Sequence, residues 1–302
     1  MEHLLEAYLG ELAALATSLS FSFGSTVFTA AGRRIGSLVV NRTRLVIAVI
    51  FLASTHWFTL GTLIPLNAAP ERWLWFGLSG AIGLVLGDIF LFQSFVLVGP
   101  RIAMLMMSLA PIFAALEAWV FLGETLSGGQ VFGILITVAG IAWVLMEGSG
   151  KSGDARVYGR GILLGLGAAI GQATGLVLAK KGFGGDFSPI SANLIRVFVA
   201  AILLWIITFF QGQIKSTLQT LRENPRGFLL TTAGAFSGPF LGVTLSLFAI
   251  QRVEVGVAST LTSLSPIFLL PISYFIFKER FGWGAIIGTL LAMAGVAMLF
   301  LV

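Results

Sequence analysis

The stretch Ser108-Leu109-Ala110-Pro111-Ile112-Phe113 returns almost unchanged as Ser263-Leu264-Ser265-Pro266-Ile267-Phe268. Outward from it, at the same spacing, Glu124 returns as Glu279, Gly133 as Gly288 and Gly140 as Gly295. Nearer the N-terminus, Asn41 and Arg44 return as Asn193 and Arg196 at a slightly different spacing. The chain therefore reads as two copies of one unit, 1–150 and 151–302. Two long copies do not make a solenoid, which stacks several short ones.

Hydropathy says what one unit is. Hydrophobic residues make up 57% of the chain and charged residues 10%, and mean hydropathy is +0.98. A soluble domain carries about 25% charge, so this chain has too little polar surface to face water, and a disordered chain is excluded with it. Lipid is the solvent for most of it. About 20 apolar residues cross a bilayer as a helix. Such runs occur at about 8–31, 43–64, 72–98, 102–122, 129–147, 159–180, 190–211, 227–250, 256–277 and 281–302. The runs are continuous rather than alternating, which argues against a β-barrel. No loop between them is long enough to fold as a separate domain. Each copy holds five runs, and five is odd, so the second copy enters the membrane from the opposite side. The expected fold is all-α, with ten transmembrane helices arranged as two inverted five-helix repeats. Such repeats support alternating access around a site at their interface.

Lys and Arg give the expected orientation. Arg33, Arg34, Arg42, Arg44, Arg101, Lys151, Arg156, Arg160, Lys215, Arg222, Arg226, Lys278 and Arg280 fall on one face. Arg72, Lys180, Lys181 and Arg252 fall on the other, with Arg196 just inside the span there. The crowded face is expected to be cytoplasmic, which puts both termini on the non-cytoplasmic side. The net charge of +5 is then an orientation signal, and no nucleic-acid partner is expected. No basic segment precedes the first apolar run, so no cleavable signal peptide is expected. The absence of Cys and the presence of only two His, His3 and His56, leave no thiolate or His-based metal site.

Enzymes and pumps leave signatures that are missing here. The sequence has no G-x-x-x-x-G-K-[ST] for direct ATP use, no H-E-x-x-H and no G-x-S-x-G. An intramembrane aspartyl protease needs two membrane aspartates, and Asp88 stands alone, with Val85 two residues before Gly87. A channel usually repeats its pore-lining groups, and the polar set here is asymmetric. An intramembrane enzyme or a channel is therefore a remote alternative.

The doubled Ser-Leu-x-Pro-Ile-Phe motif, the Glu after it and the Gly-punctuated helix that follows resemble the EamA repeat of the drug/metabolite transporter superfamily. Pro111, Glu124, Gly133 and Gly140 carry the likeness in the first copy, and Pro266, Glu279, Gly288 and Gly295 in the second. Arg44 and Arg196 stand where such repeats tend to place a basic residue. The resemblance implies the EamA fold and a central cavity lined by both halves. It implies no cofactor and no required oligomer, and a place in the bacterial inner membrane. It further implies export of small metabolites, with the aromatic-amino-acid (YddG-like) type preferred. A multidrug or organic-cation exporter and a sugar-phosphate or nucleotide exchanger of the same fold are the alternatives.

Ionisable groups are costly in lipid, so each is a functional candidate. Asp88 lies in the middle of the third run and Glu117 in the fourth, while Val243 and Ile272 take the corresponding places in the second copy. Each acid is a candidate for solute recognition or proton coupling, or else a buried acid bonded to a neighbouring helix. Asp88→Asn is expected to cut transport and leave folded yield intact. Gln93 and Gln172 can bond a solute's charged end or another helix. Trp119 follows Glu117 closely, and an aromatic face beside a carboxylate suits an ammonium group. Ser18, Ser22, Ser25 and Thr29 recur at helical spacing and line a polar path or bond back to their own backbone; Ser22 is taken as the site candidate. Pro111, Pro239, Pro266 and Pro271 each remove a backbone donor inside a run and are expected as hinges or kinks. The rows Gly161–Gly165–Ala168–Gly171–Gly175 and Gly77–Gly80–Gly83–Gly87 are expected to let helices approach closely. Glu124 and Glu279 are read as structural, each favouring the positive end of the helix that follows. Arg44 and Arg196 are expected to snorkel to the interface.

Overall fold

Without water, every backbone N–H and C=O must find its partner within its own segment, and apolar runs of this length do so as helices. The computed structural model describes residues 8–122, 127–149, 155–183, 187–252, 261–276, 278 and 282–301, and every regular element among them is helical. Glu124 and Glu279 lie outside the described residues.

Helix α1, Leu9–Ile35, and α2, Ser37–Leu60, are separated by Gly36 alone. Gly36 reverses the chain at φ +86°, a conformation that a side chain would strain. Helix α3, Pro70–Met107, is 38 residues long, too long for one crossing. It breaks at Gly99, φ +80°, with Pro100 next, and this divides the third crossing from the fourth. The fourth crossing resumes, after a turn at Ser108 and Leu109, as α4, Ala110–Leu122. Helix α5 is Gly128–Ser149, α6 Ala155–Gly182 and α7 Pro189–Phe210. A short amphipathic helix, α8, Ile214–Glu223, follows. Helix α9 runs from Pro225–Ala235 through a π-helical stretch, Phe236–Gly242, to Val243–Arg252. Helices α10, Ser265–Ile276, and α11, Trp283–Leu301, complete the chain. Among the described residues seven helices are long and apolar enough to cross a membrane. The break in α3 with α4, and the shorter apolar helices α10 and α11, supply the remaining three crossings.

Pro111 and Pro266 fall in the first turn of helices that restart after a break. There a missing N–H costs no intrahelical bond. Pro239 lies within the π-helical stretch of α9, whose counterpart in α3 is Gly80–Gly87. Pro271 lies inside α10.

Packing is reciprocal. Helix α2 lies on α7, sharing a core of Leu45, Ala48 and Leu52 with Leu194, Val197, Ala200 and Leu204. Helix α1 lies against α9 and α10, and α6 against α3 and α4. Helix α5 lies on α11, where glycines carry the contact: a Cβ on Gly140 would stand 2.6 Å from the Gly288 oxygen, and one on Gly295 2.6 Å from the Gly133 oxygen. The glycine rows of α3 and α6 also meet, with a Cβ on Gly171 falling 2.9 Å from the Gly87 Cα and one on Gly175 3.1 Å from the Gly83 Cα. Outward faces carry bare apolar side chains such as Phe58, Met146, Leu163 and Phe210. On a soluble protein such a surface would aggregate; in lipid it is the solvated face.

Candidate functional site

Asp88 follows directly on the π-helical stretch of α3 and is 3% exposed. Arg44, on α2, is 4% exposed and ion-paired with it through Nη2 and Oδ2. Arg44 Nε also donates to Asn41 Oδ1 at 3.0 Å, and the guanidinium lies 4.7 Å from the ring centre of Phe92 and 5.9 Å from that of Phe28. The other carboxylate oxygen, Asp88 Oδ1, accepts from Gln172 Nε2 on α6 at 3.2 Å. Three helices, two from the first copy and one from the second, thus meet in one charged cluster. Arg196, on α7, is also 4% exposed.

Two expectations are corrected here. Arg44 and Arg196 do not snorkel to the interface; both are buried. The reason for Arg44 is pairing: a charge is tolerated in a low-dielectric interior when an opposite charge and further hydrogen bonds meet it. It follows that Asp88→Asn strips Arg44 of its partner, so folded stability as well as transport is expected to suffer.

The other sequence candidates are spread over the molecule. Glu117, half-buried on α4, accepts from Thr174 Oγ1 on α6 at 2.7 Å. Trp119 is 53% exposed. Gln93 Oε1 accepts from Ser37 Oγ at 2.6 Å, which ties α3 to the start of α2. Ser22 Oγ lies 2.7 Å from the Ser18 carbonyl and 3.0 Å from that of Ser265, so its single proton serves one at a time. Ser265 Oγ in turn reaches the Ser18 carbonyl at 3.0 Å, and the pair fastens α1 to the restart of α10. Ser18, Ser25 and Thr29 bond back to carbonyls of their own helix. His56 is held between Ser191 Oγ, 3.0 Å from Nε2, and the Thr62 carbonyl. Arg42 Nη atoms donate to Thr217, Gln211 and Gln213, which fixes α8 and the turn before it against α2.

Sequence reasoning missed the pairing of Arg44 with Asp88. The signal available was the repeated Asn-x-x-Arg, a second-helix arginine in a chain with few membrane acids to pair it. A cleft of about 820 Å³ at the far end of α2, lined by His56, Trp57, Leu63, Arg72, Phe187 and Ser191 among others, was also missed. None of its lining residues belongs to the charged cluster. Among the described residues no group of three or more His, Cys, Asp or Glu side chains is placed to hold a metal.

A helical chain that buries an ion pair of its first copy, bonds it to a glutamine of the second, and presents an apolar surface outward is a multi-pass membrane protein of transporter architecture. The sequence profile of the EamA-like transporter family matches residues 8–146 and again 159–301, so the chain belongs to that family and carries its unit twice. Over 90 residues it is 34% identical to a probable 4-amino-4-deoxy-L-arabinose-phosphoundecaprenol flippase subunit, ArnE, of Pseudomonas fluorescens strain Pf-5, which covers 74% of that protein and 30% of this chain. A solved crystal structure superposes with a TM-score of 0.65 over 96% of each chain at 18% identity, a likeness of fold alone.

Proposed function

We propose that the chain is a secondary transporter that exports small metabolites by alternating access, its two copies rocking as inverted repeats about the Arg44–Asp88–Gln172 cluster. The observation that carries this reading is a buried ion pair of the first copy, Arg44 with Asp88, hydrogen-bonded by Gln172 of the second. Packed apolar side chains would be as stable as such a pair, and an intramembrane charge cluster marks a solute or coupling path. The π-helical stretches in α3 and α9 support it, since such turns weaken a helix locally and concentrate at functional places. The breaks before Pro111 and Pro266 give each copy a hinge. The Lys and Arg distribution supports an inner-membrane orientation with both termini outside, and export from the cytoplasm.

Hydrophobic amino acids are the favoured solutes. Their apolar side chain suits the aromatic surroundings of Arg44, and their charged ends suit the polar cluster. Asp88, Gln172, Gln93, Glu117 and Ser22 are the side chains proposed to meet solute or coupling proton, with Trp119 the least central. A phosphate-bearing solute is the second reading, favoured by the likeness to the flippase subunit.

The test is uptake by the purified full chain in liposomes, offered a panel of amino acids, organic cations and phosphate esters, with and without a pH gradient. Saturable uptake of at least one hydrophobic amino acid, absent from empty liposomes and lost in Asp88→Asn, is expected. Uptake that never saturates would contradict the reading.

A further inference from the structure

The two repeat-equivalent Asn-x-x-Arg motifs are in different states. In the first copy Arg44 Nε donates to Asn41 Oδ1, the guanidinium meets Asp88, and aromatic rings cover it. In the second copy that Arg–Asn bond is not made. Asn193 turns its amide N–H to the Pro239 carbonyl at 2.9 Å, and its Oδ1 is buried without a partner. Arg196 Nε is likewise buried without a partner. Its neighbours on the helix, Leu194, Ile195 and Val197, are fully buried apolar side chains. Asp88 is committed to Arg44 and Gln172, and Glu117 is bonded to Thr174. Two guanidinium groups and one carboxylate leave the cluster one positive charge in excess. A buried cation with an unmet donor is costly, and an anion meeting Arg196 would relieve that cost.

The helix is well held there. Any side chain at Gly80, where the π-helical stretch of α3 begins, would collide with the Arg196 carbonyl. Arg196 is therefore presented from a backbone held against the π-helical stretch of α3.

We propose that Arg196, with Asn193 beside it, is a recognition point for an anionic group, so that the solute carried past this cluster bears a carboxylate or a phosphate. A guanidinium offers both groups a fork of donors with matching geometry. A purely cationic solute is excluded, because Asp88 is occupied and the excess charge repels it. The inference rests on the transport reading in one respect: Arg196 is closed off in this structure, and a solute reaches it when the halves part.

Two measurements on the full chain in detergent and liposomes decide it. First, sodium acetate and sodium phosphate are compared with sodium chloride at equal ionic strength. One of them is expected to raise the Tm of the unchanged protein by about 2–4 °C at several times its Kd, with no rise in Arg196→Gln and a partial rise in Arg196→Lys. Acetate acting alone assigns a carboxylate, and phosphate acting alone a phosphate. No rise, or an equal rise in Arg196→Gln, overturns the anion site whether or not the protein transports. Second, uptake of L-phenylalanine, phenethylamine and glycerol 3-phosphate is compared in liposomes. Phenethylamine is expected to be refused, and Arg196→Gln to raise the KM of the accepted solute at least about tenfold. Phenethylamine carried as well as L-phenylalanine overturns the proposal. An anion-dependent Tm with no uptake of any kind leaves the anion site standing and defeats the transport reading instead.

Discussion

Removing Asp88 leaves the Arg44 guanidinium buried with Asn41 and two aromatic faces but no counter-charge. Breaking one side of a buried pair costs about 3–5 kcal/mol, while replacing both partners by well-packed uncharged groups costs far less. Asp88→Asn and Arg44→Gln are each expected to lower the Tm of the purified protein strongly. The double variant is expected to lose clearly less than the sum of the two. Additive losses in that double-mutant cycle would mean that the two side chains do not depend on each other. The double variant is expected to fail in transport at temperatures where it is still folded, which separates the role of the pair from its stability. The depth of Asp88 was legible in the sequence, because charge is rare in these runs. Its partner was not, because an arginine near the start of a membrane helix has two outcomes, the interface or a buried acid. Only the packing of α2 on α3 chooses between them.

At the scale of helices, small residues decide which pairs touch. The contact between α5 and α11 has no room for a Cβ at Gly140 or Gly295, so a larger side chain must push the helices apart. Gly140→Leu is expected to destabilise the protein by about 1–3 kcal/mol through overpacking. Gly128→Ala, at a position where an added Cβ meets nothing within 4 Å, is expected to change stability by less than about 0.5 kcal/mol. Equal Tm values for the two variants would show that α5 and α11 do not rely on that close approach. Here the sequence spoke clearly: glycines at helical spacing in both copies pointed to tight crossings, and the rows of α3 and α6 do face each other. The boundary between the third and fourth runs was legible too, since Gly99 followed by Pro100 interrupts a regular helix. The π-helical stretches were not. A helix that widens by one residue per turn uses the same residue types as one that does not, and only its neighbours reveal it. Pro111 and Pro266 look like interior kinks in an apolar run but stand at the restart of helices, because the turn before each is invisible to hydropathy.

For the whole molecule, the duplicated motif and the odd number of runs per copy already implied two units of opposite direction. The family match to 8–146 and 159–301 shows the duplication directly. The interlocked packing, α1 on the second copy and α6 on the first, places the charged cluster where the two units meet. Neither copy completes that cluster alone, since Gln172 comes from one and Arg44 and Asp88 from the other. Rocking of one unit against the other would therefore open the cluster to each side in turn, and a fixed pore through it would not need the pairing. Counterflow separates these mechanisms. Liposomes containing the purified chain are loaded with unlabelled L-phenylalanine, or with another solute of the panel that is taken up, and diluted into a trace of the labelled form. An alternating site must carry solute out and return with labelled solute. The account predicts transient accumulation of label well above its equilibrium level, abolished in Asp88→Asn. Label that rises only to equilibrium, at a rate indifferent to the internal load, would contradict it.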